Sequence, residues 1–235
     1  MRHPVKVYRE RRSRLPGAVV WERVAGTTPF RVVPDGCMDL IWAAGALLVA
    51  GPDTTSHWVA GPPGERFTGV RFAPGMGPAV FGVPAQDVRD QRVSLDALWS
   101  PRVARRLVDR IGAAPRIGAA LEALATEHVR RNGPPDPVDV EIAARLHAGH
   151  SVAAVAQAID VSERQLHRRC LAAFGYGPKT LARIQRMERA LGLIRDGTPL
   201  AHVAVVAGYA DQAHLTREIK VLTGAPPSGL VAEQS

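Results

Sequence analysis

The chain has 235 residues, 46% of them hydrophobic, and a formal net charge of +8. That length allows one large domain or two of ordinary size with real cores. Only two cysteines occur, Cys37 and Cys170, far apart, which excludes a disulfide framework and a zinc pattern.

Residues 1–16 are basic and read as irregular up to Leu15-Pro16-Gly17. They lack the apolar stretch of a secretory signal. The longest apolar run, Leu40 to Ala50, is too short to span a bilayer. No membrane partner is expected, and the cytoplasm is the expected location. From Ala18 to about Phe72 the texture is strand-like. Short apolar or alternating runs cover Val19–Trp21, Arg31–Val33, Met38–Trp42, Leu47–Ala50, His57–Ala60 and Thr68–Phe72, punctuated by Gly, Pro and Asp. They predict a small antiparallel β-sheet or β-barrel. After Pro74-Gly75 the spacing turns helical over Asp96–Trp99, Pro101–Ile111 and Arg116–Val129. Val103, Leu107 and Ile111 are expected on one core face, and Ile117, Leu121 and Leu124 on another.

Asn132-Gly133-Pro134-Pro135-Asp136-Pro137 cannot continue a helix. It divides the chain into an N-terminal domain over 1–132, a linker over 133–137 and a C-terminal domain over 138–235. The fold class is therefore α+β, with a β-rich first domain that becomes helical after residue 72 and an all-α second domain. Helices are expected over Val138–Ala148, Val152–Ile159, Ser162 to about Phe174, Pro178–Arg195, Leu200–Ala207 and Asp211–Leu222. Asp160-Val161 is the turn inside the first tight pair. Aspartate tolerates the positive φ needed there better than most residues.

The C-terminal domain repeats itself. Leu166-x-Arg168, then Gly175, Pro178 and Leu181, recurs at identical spacing as Leu215-x-Arg217, then Gly224, Pro227 and Leu230. Each copy follows an alanine-rich segment and a tight turn, so two helix-turn-helix units stand in tandem, over about 152–174 and 200–223. Such a unit places its second helix against the DNA major groove. The repeated Leu, Gly and Pro positions read as architecture. The polar residues left at the start of each second helix are the candidate base contacts: Glu163, Arg164, His167 and Arg168, then Gln212, Thr216 and Arg217. Arginine offers guanine a bidentate fork, glutamine does so for adenine, and a threonine methyl meets thymine. Arg169, Lys179, Arg183, Arg186 and Lys220 are candidate phosphate contacts. Bulk charge does not make this argument, because residues 1–138 carry a balance of +6 and residues 139–235 only +2. Local charge supports it: residues 162–195 hold eight basic and two acidic side chains.

The run GYADQAHLTREIKVLTGAPPSGL, together with VAQAIDVSERQLHRRC, resembles the DNA-binding domain of AraC-type transcription regulators over roughly the last 90 residues of the 235. Departures are mild: Ile219 and Cys170 stand where the family usually has Phe, Leu215 replaces an aromatic, and Asp160 replaces Gly. The resemblance implies that the two units enter successive major grooves of double-stranded DNA, with Pro178–Arg195 as the joining helix. VVPDGCMDLIW, GVRFAPGMGPAVFGVPAQDV and VSLDALW resemble an uncharacterised domain frequently fused to this one. By analogy, such an N-terminal domain senses a small-molecule effector or mediates homodimerisation. RNA polymerase is a further candidate partner.

No cofactor or metal is expected. Before residue 120 the only histidines are His3 and His57, and neither a Ser/His/Asp order nor a phosphate loop is present. An enzyme is not expected. Trp21, Trp42, Trp58 and Phe72 are candidates for an apolar effector pocket, with core packing as the equal alternative. Asp35 and Asp39 flank a turn at Gly36-Cys37 and read as an Asx-turn and a strand end. The alternatives to an effector-modulated regulator are a ligand-independent one, whose N-terminal domain serves dimerisation or protein interaction, and a Cys37-based chemical sensor.

Overall fold

The computed structural model describes residues 8–234, with side chains as far as Leu230; His3 and the rest of residues 1–7 lie outside it. Strand β1 (Tyr8–Arg12) begins where irregular chain was expected. All five of its side chains are exposed, so no apolar alternation marks it. Backbone pairing with β2 (Ala18–Val24) recruits it. The strands β3 (Phe30–Val32), β4 (Met38–Ala43), β5 (Ala46–Ala50), β6 (His57–Val59) and β7 (Arg66–Phe72) fall on the expected apolar runs. A short β8 (Arg92–Ser94) is added from a polar stretch.

Six strands form one antiparallel sheet in the order β1-β2-β7-β4-β5-β8, and β3 pairs with β6 separately. The edges β1 and β8 do not meet, so the sheet is open and the barrel alternative does not hold. Helices cover one face of the sheet instead. They are α1 (Gly77–Phe81), α2 (Pro101–Gly112) and α3 (Ile117–Asn132), with short 3-10 turns at Ala85–Val88 and Leu95–Ala97. Val20, Leu40, Val70 and Phe72 from the sheet meet Phe81, Ile111, Leu121 and Leu124 in one buried core. Val103 is 42% exposed, against expectation; Ala104 takes its place beside Leu107 and Ile111, one position round the helix. Gly118 lets α3 lie close to the sheet, since a Cβ there would come within 2.8 Å of Val20 Cγ1.

The second core belongs to seven helices: α4 (Pro137–His147), α5 (Val152–Ala158), α6 (Glu163–Phe174), α7 (Pro178–Arg195), α8 (Leu200–Ala207), α9 (Gln212–Thr223) and α10 (Pro227–Gln234). Six follow the expected spans closely. The seventh, α10, was not expected, because Pro227 read as a chain-redirecting residue. It stands at the first position of a helix, where a missing N–H costs nothing, as Pro178 does for α7.

Residues 133–136 join α3 to α4. Asp136 caps α4 by accepting from Val138 N at 2.9 Å. No helix among the described residues is long and apolar enough to cross a membrane.

Candidate nucleic-acid interface

The Leu, Gly and Pro positions of the sequence repeat each have a visible physical job. Leu166 and Leu215 are fully buried and anchor α6 and α9 in the helical core. Gly175 and Gly224 end those helices with φ of +82° and +73°, a conformation that side-chain-bearing residues rarely adopt. Pro178 and Pro227 start the next helix, and Leu181 and Leu230 return the chain to the core.

The turns behave alike by different chemistry. Gly208 supplies a φ of +78° before α9, and Asp160 adopts +53° before α6. Ser162 then caps α6 through a reciprocal box: its Oγ accepts from Gln165 N at 3.2 Å, and Gln165 Oε1 accepts from Ser162 N at 2.8 Å. Asp211 caps α9 by accepting from His214 N at 2.6 Å.

These caps fix which side chains the N-terminal ends of α6 and α9 present outward. Glu163, Arg164, His167 and Arg168 are exposed on α6, and Gln212 and Arg217 on α9. Thr216 is half-buried, and its hydroxyl donates to Gln212 O at 2.9 Å. Lys179 and Lys220 are also exposed. Glu163, His167 and Lys179 line a shallow recess of about 320 Å³ where α6 meets the start of α7.

Three of the five candidate phosphate contacts are committed inside the protein. Arg169 bridges to Asp136 and Asp139 at 2.5 and 2.6 Å, tying α6 to α4 and its cap. Arg183 pairs with Glu218 at 3.0 Å across α7 and α9. Arg186 reaches Glu218 at 3.5 Å and lies over the Tyr209 ring at 4.5 Å. Burial opposes the charge of Glu218, yet these two arginines hold its carboxyl below the usual range. Sequence spacing placed the three arginines on helices but gave no sign of the carboxylates that the tertiary packing brings to them.

The four aromatic residues proposed for an effector pocket do not share one. Phe72 is fully buried in the core. Trp21 points to the opposite face of the sheet from its neighbour Val20, lies across Gly69 and donates from Nε1 to Asp39 at 2.6 Å. Trp58 is 55% exposed, with the Arg31 guanidinium over its ring. Only Trp42 lines a large groove. Tryptophans 21 and 16 residues apart carry no face information, and pairing register scattered them.

The turn at Gly36-Cys37 is an Asx-turn: Cys37 N donates to Asp35 Oδ1 at 2.8 Å, with Gly36 at φ +81°. Arg71 lies 3.2 Å from Asp35 and 3.4 Å from Asp39. Burial, with Asp35 beside it, pushes the Cys37 thiol well up, which keeps it protonated and a poor nucleophile. Facing this cluster from α7 is Glu188. Its Oε1 is buried with no hydrogen-bond partner, and burial reinforced by Asp35 raises its pKa from 4.5 to about 7.

The N-terminal half grips both outward-facing helices at their C-terminal ends. Arg89 donates to Gly175 O at 3.0 Å, at the end of α6. Arg31 donates to Thr223 O, at the end of α9, and Ser56 donates to the same oxygen at 2.6 Å. Ser56 N adds a bond to Leu222 O at 2.9 Å. The same two glycine caps admit these neighbours, since a Cβ on Gly175 would sit 2.5 Å from Pro52.

Residues 141–232 match a family model described as a helix-turn-helix domain, and residues 18–94 match a domain of unknown function, DUF6597. Residues 141–232 are an AraC-type helix-turn-helix domain. The chain is 30% identical over 135 residues to the HTH-type transcriptional regulator RipA of Corynebacterium glutamicum, a match spanning 57% of this chain and 37% of that protein. Among solved structures it is similar in fold to an apo variant of ToxT from Vibrio cholerae strain SCE256, with a TM-score of 0.54 and 10% identity over 95% of this chain and 100% of that one. Wild-type ToxT with an unsaturated fatty acid bound gives 0.50 and 10% over 94% and 96%. An N-terminal sheet followed by a helical domain thus has a precedent in fold among solved structures.

Proposed function

We propose that the chain is a sequence-specific, DNA-binding transcription regulator acting in the cytoplasm, with α6 and α9 as its two reading helices. One observation carries the reading. Two capped helices with the same Leu-Arg-Gly-Pro frame, rigidly joined by α7, each present an exposed polar N-terminal end. Arg164, Arg168, Gln212 and Arg217 are the base-reading candidates that best fit, with Glu163, His167 and Thr216 beside them. Lys179 and Lys220 remain as phosphate contacts, while Arg169, Arg183 and Arg186 hold the framework.

The N-terminal domain is the regulatory half. Its hold on the C-terminal ends of both reading helices gives an effector a route to their spacing. The similar fold of ToxT, solved with a fatty acid bound, supports an effector-modulated reading. RNA polymerase and a second copy of the chain are the protein partners this reading admits.

A selection of bound fragments from genomic DNA at roughly physiological salt tests the proposal. The expected result is a two-part motif whose blocks lie about one helical turn apart. Recovered sequences no different from random DNA, with the full chain folded, would overturn it.

A further inference from the structure

The basic excess of the N-terminal half lies outside α6 and α9, and much of it gathers at one place. Along the sheet, Arg9, Glu22, Thr68 and Trp42 stand opposite one another on β1, β2, β7 and β4, so their side chains share a face. Arg11, Val20, Val24 and Arg66 lie on that face too, two residues along their strands. The half of the face that holds Val20, Val70 and Leu40 is covered by helices and forms the core. Among the described residues the other half is left open beside α3, as a groove of about 1670 Å³. Helix α3 turns the small residues Ala119, Ala120 and Ala123 toward it.

Seven arginines and three glutamates line this groove, together with an apolar floor that includes Val24, Trp42 and Ile117. Two of the arginines are engaged. Arg11 pairs with Glu122 at 3.1 Å, and Arg23 lies 3.9 Å over the Phe30 ring. The other five, Arg9, Arg14, Arg66, Arg116 and Arg130, have no carboxylate partner among the described residues. Arg116 and Arg130 stand at the two ends of α3, about 21 Å apart at 1.5 Å per residue. Exposed arginines concentrated around an apolar floor repel one another unless an anion neutralises them. Their planar forks match carboxylate, sulfonate or phosphate oxygens.

We propose that this groove is a binding site for an elongated small organic anion: an apolar body on the Val24–Trp42–Ile117 floor, with anionic groups held by Arg9 and Arg66 from the sheet and Arg116 and Arg130 from α3. This deepens the regulatory reading of the N-terminal domain by naming the site and the ligand's chemistry. It differs from the aromatic pocket expected from sequence in using only Trp42 and in being cationic.

The test uses the full chain and three probes: bis-ANS, with two sulfonates on an aromatic body; N-phenyl-1-naphthylamine, a related body without charge; and inorganic phosphate. Fluorescence titration should give bis-ANS binding at least tenfold tighter than the uncharged amine, with phosphate alone binding far more weakly. An Arg9→Gln/Arg66→Gln variant should lose at least tenfold in bis-ANS affinity, with its melting temperature and its weak amine binding unchanged. Equal bis-ANS affinity in the variant and the wild type would overturn the proposal. So would loss of random-sequence duplex binding in the variant with a smaller salt slope, because that would make the groove a DNA surface. The wild-type fragment selection is read separately, so the groove can fail while the DNA-binding reading stands.

Discussion

Glu188 offers a prediction whose magnitude follows from where its carboxyl lies. In the fold its Oε1 is buried and unpartnered between α7 and the Asp35 turn. Burial and the nearby Asp35 charge raise its pKa to about 7 from the usual 4.5, against the opposing pull of Arg195 and Arg71. The unfolded chain releases this proton near 4.5 while the folded chain keeps it. Between these values the folded state therefore binds more protons, and stability falls as pH rises. The penalty is absent well below pH 4.5, sets in near that value, grows up to about pH 7 and is complete above it. Its full size, from the gap between the two values, is about 3 kcal/mol. Glu188→Gln removes the ionisation and keeps the shape. Urea unfolding at pH 5 and pH 8 should find the variant close to wild type at pH 5 and up to about 3 kcal/mol more stable at pH 8. Other titrating groups are common to both proteins and cancel in the difference. If the gap between variant and wild type is the same at both pH values, Glu188 is ionised throughout and the burial argument is wrong.

Three further outcomes are expected. Arg164→Ala and Gln212→Ala should each cost about 1–3 kcal/mol on the selected site and little on random duplex, measured by competition binding; equal loss on both would mark phosphate contacts. Lys179→Ala should weaken all sequences alike and reduce the salt slope by about one, whereas Arg183→Ala, which breaks the pair with Glu218, should leave the slope unchanged; a lower slope for Arg183→Ala would put that arginine on DNA. Leu166→Ala and Leu215→Ala, at fully buried positions, should each destabilise by about 2–5 kcal/mol in denaturant unfolding, and a loss under 1 kcal/mol would contradict their anchoring role.

Much of the fold is legible in the sequence because its signals are local. Capping residues, left-handed turn positions and the 3.6-residue apolar period act within a few residues, so α6, α7, α8 and α9 can be read to within a residue or two. The apolar runs likewise name β2, β4, β5 and β7. Elements held by backbone pairing or by a neighbour carry no such mark. The exposed strand β1, the three-residue β8 and the short α1 exist because the rest of the fold presents them with partners.

The division is sharper for side-chain roles. The repeat alone established the tandem units and which residues build them, since identical spacing imposes identical caps and core anchors. It also named the surface candidates Arg164, Arg168, Gln212 and Arg217, which the fold leaves exposed. Only the tertiary structure decided that Arg169, Arg183 and Arg186 are bound to carboxylates up to 35 residues away. It alone scattered the four pocket aromatics, set Glu188 against Asp35, and gathered distant arginines around one groove. Charge pairing and cavity formation depend on strand register and helix placement, which are set by contacts between segments far apart in the chain and leave no periodic trace in either segment.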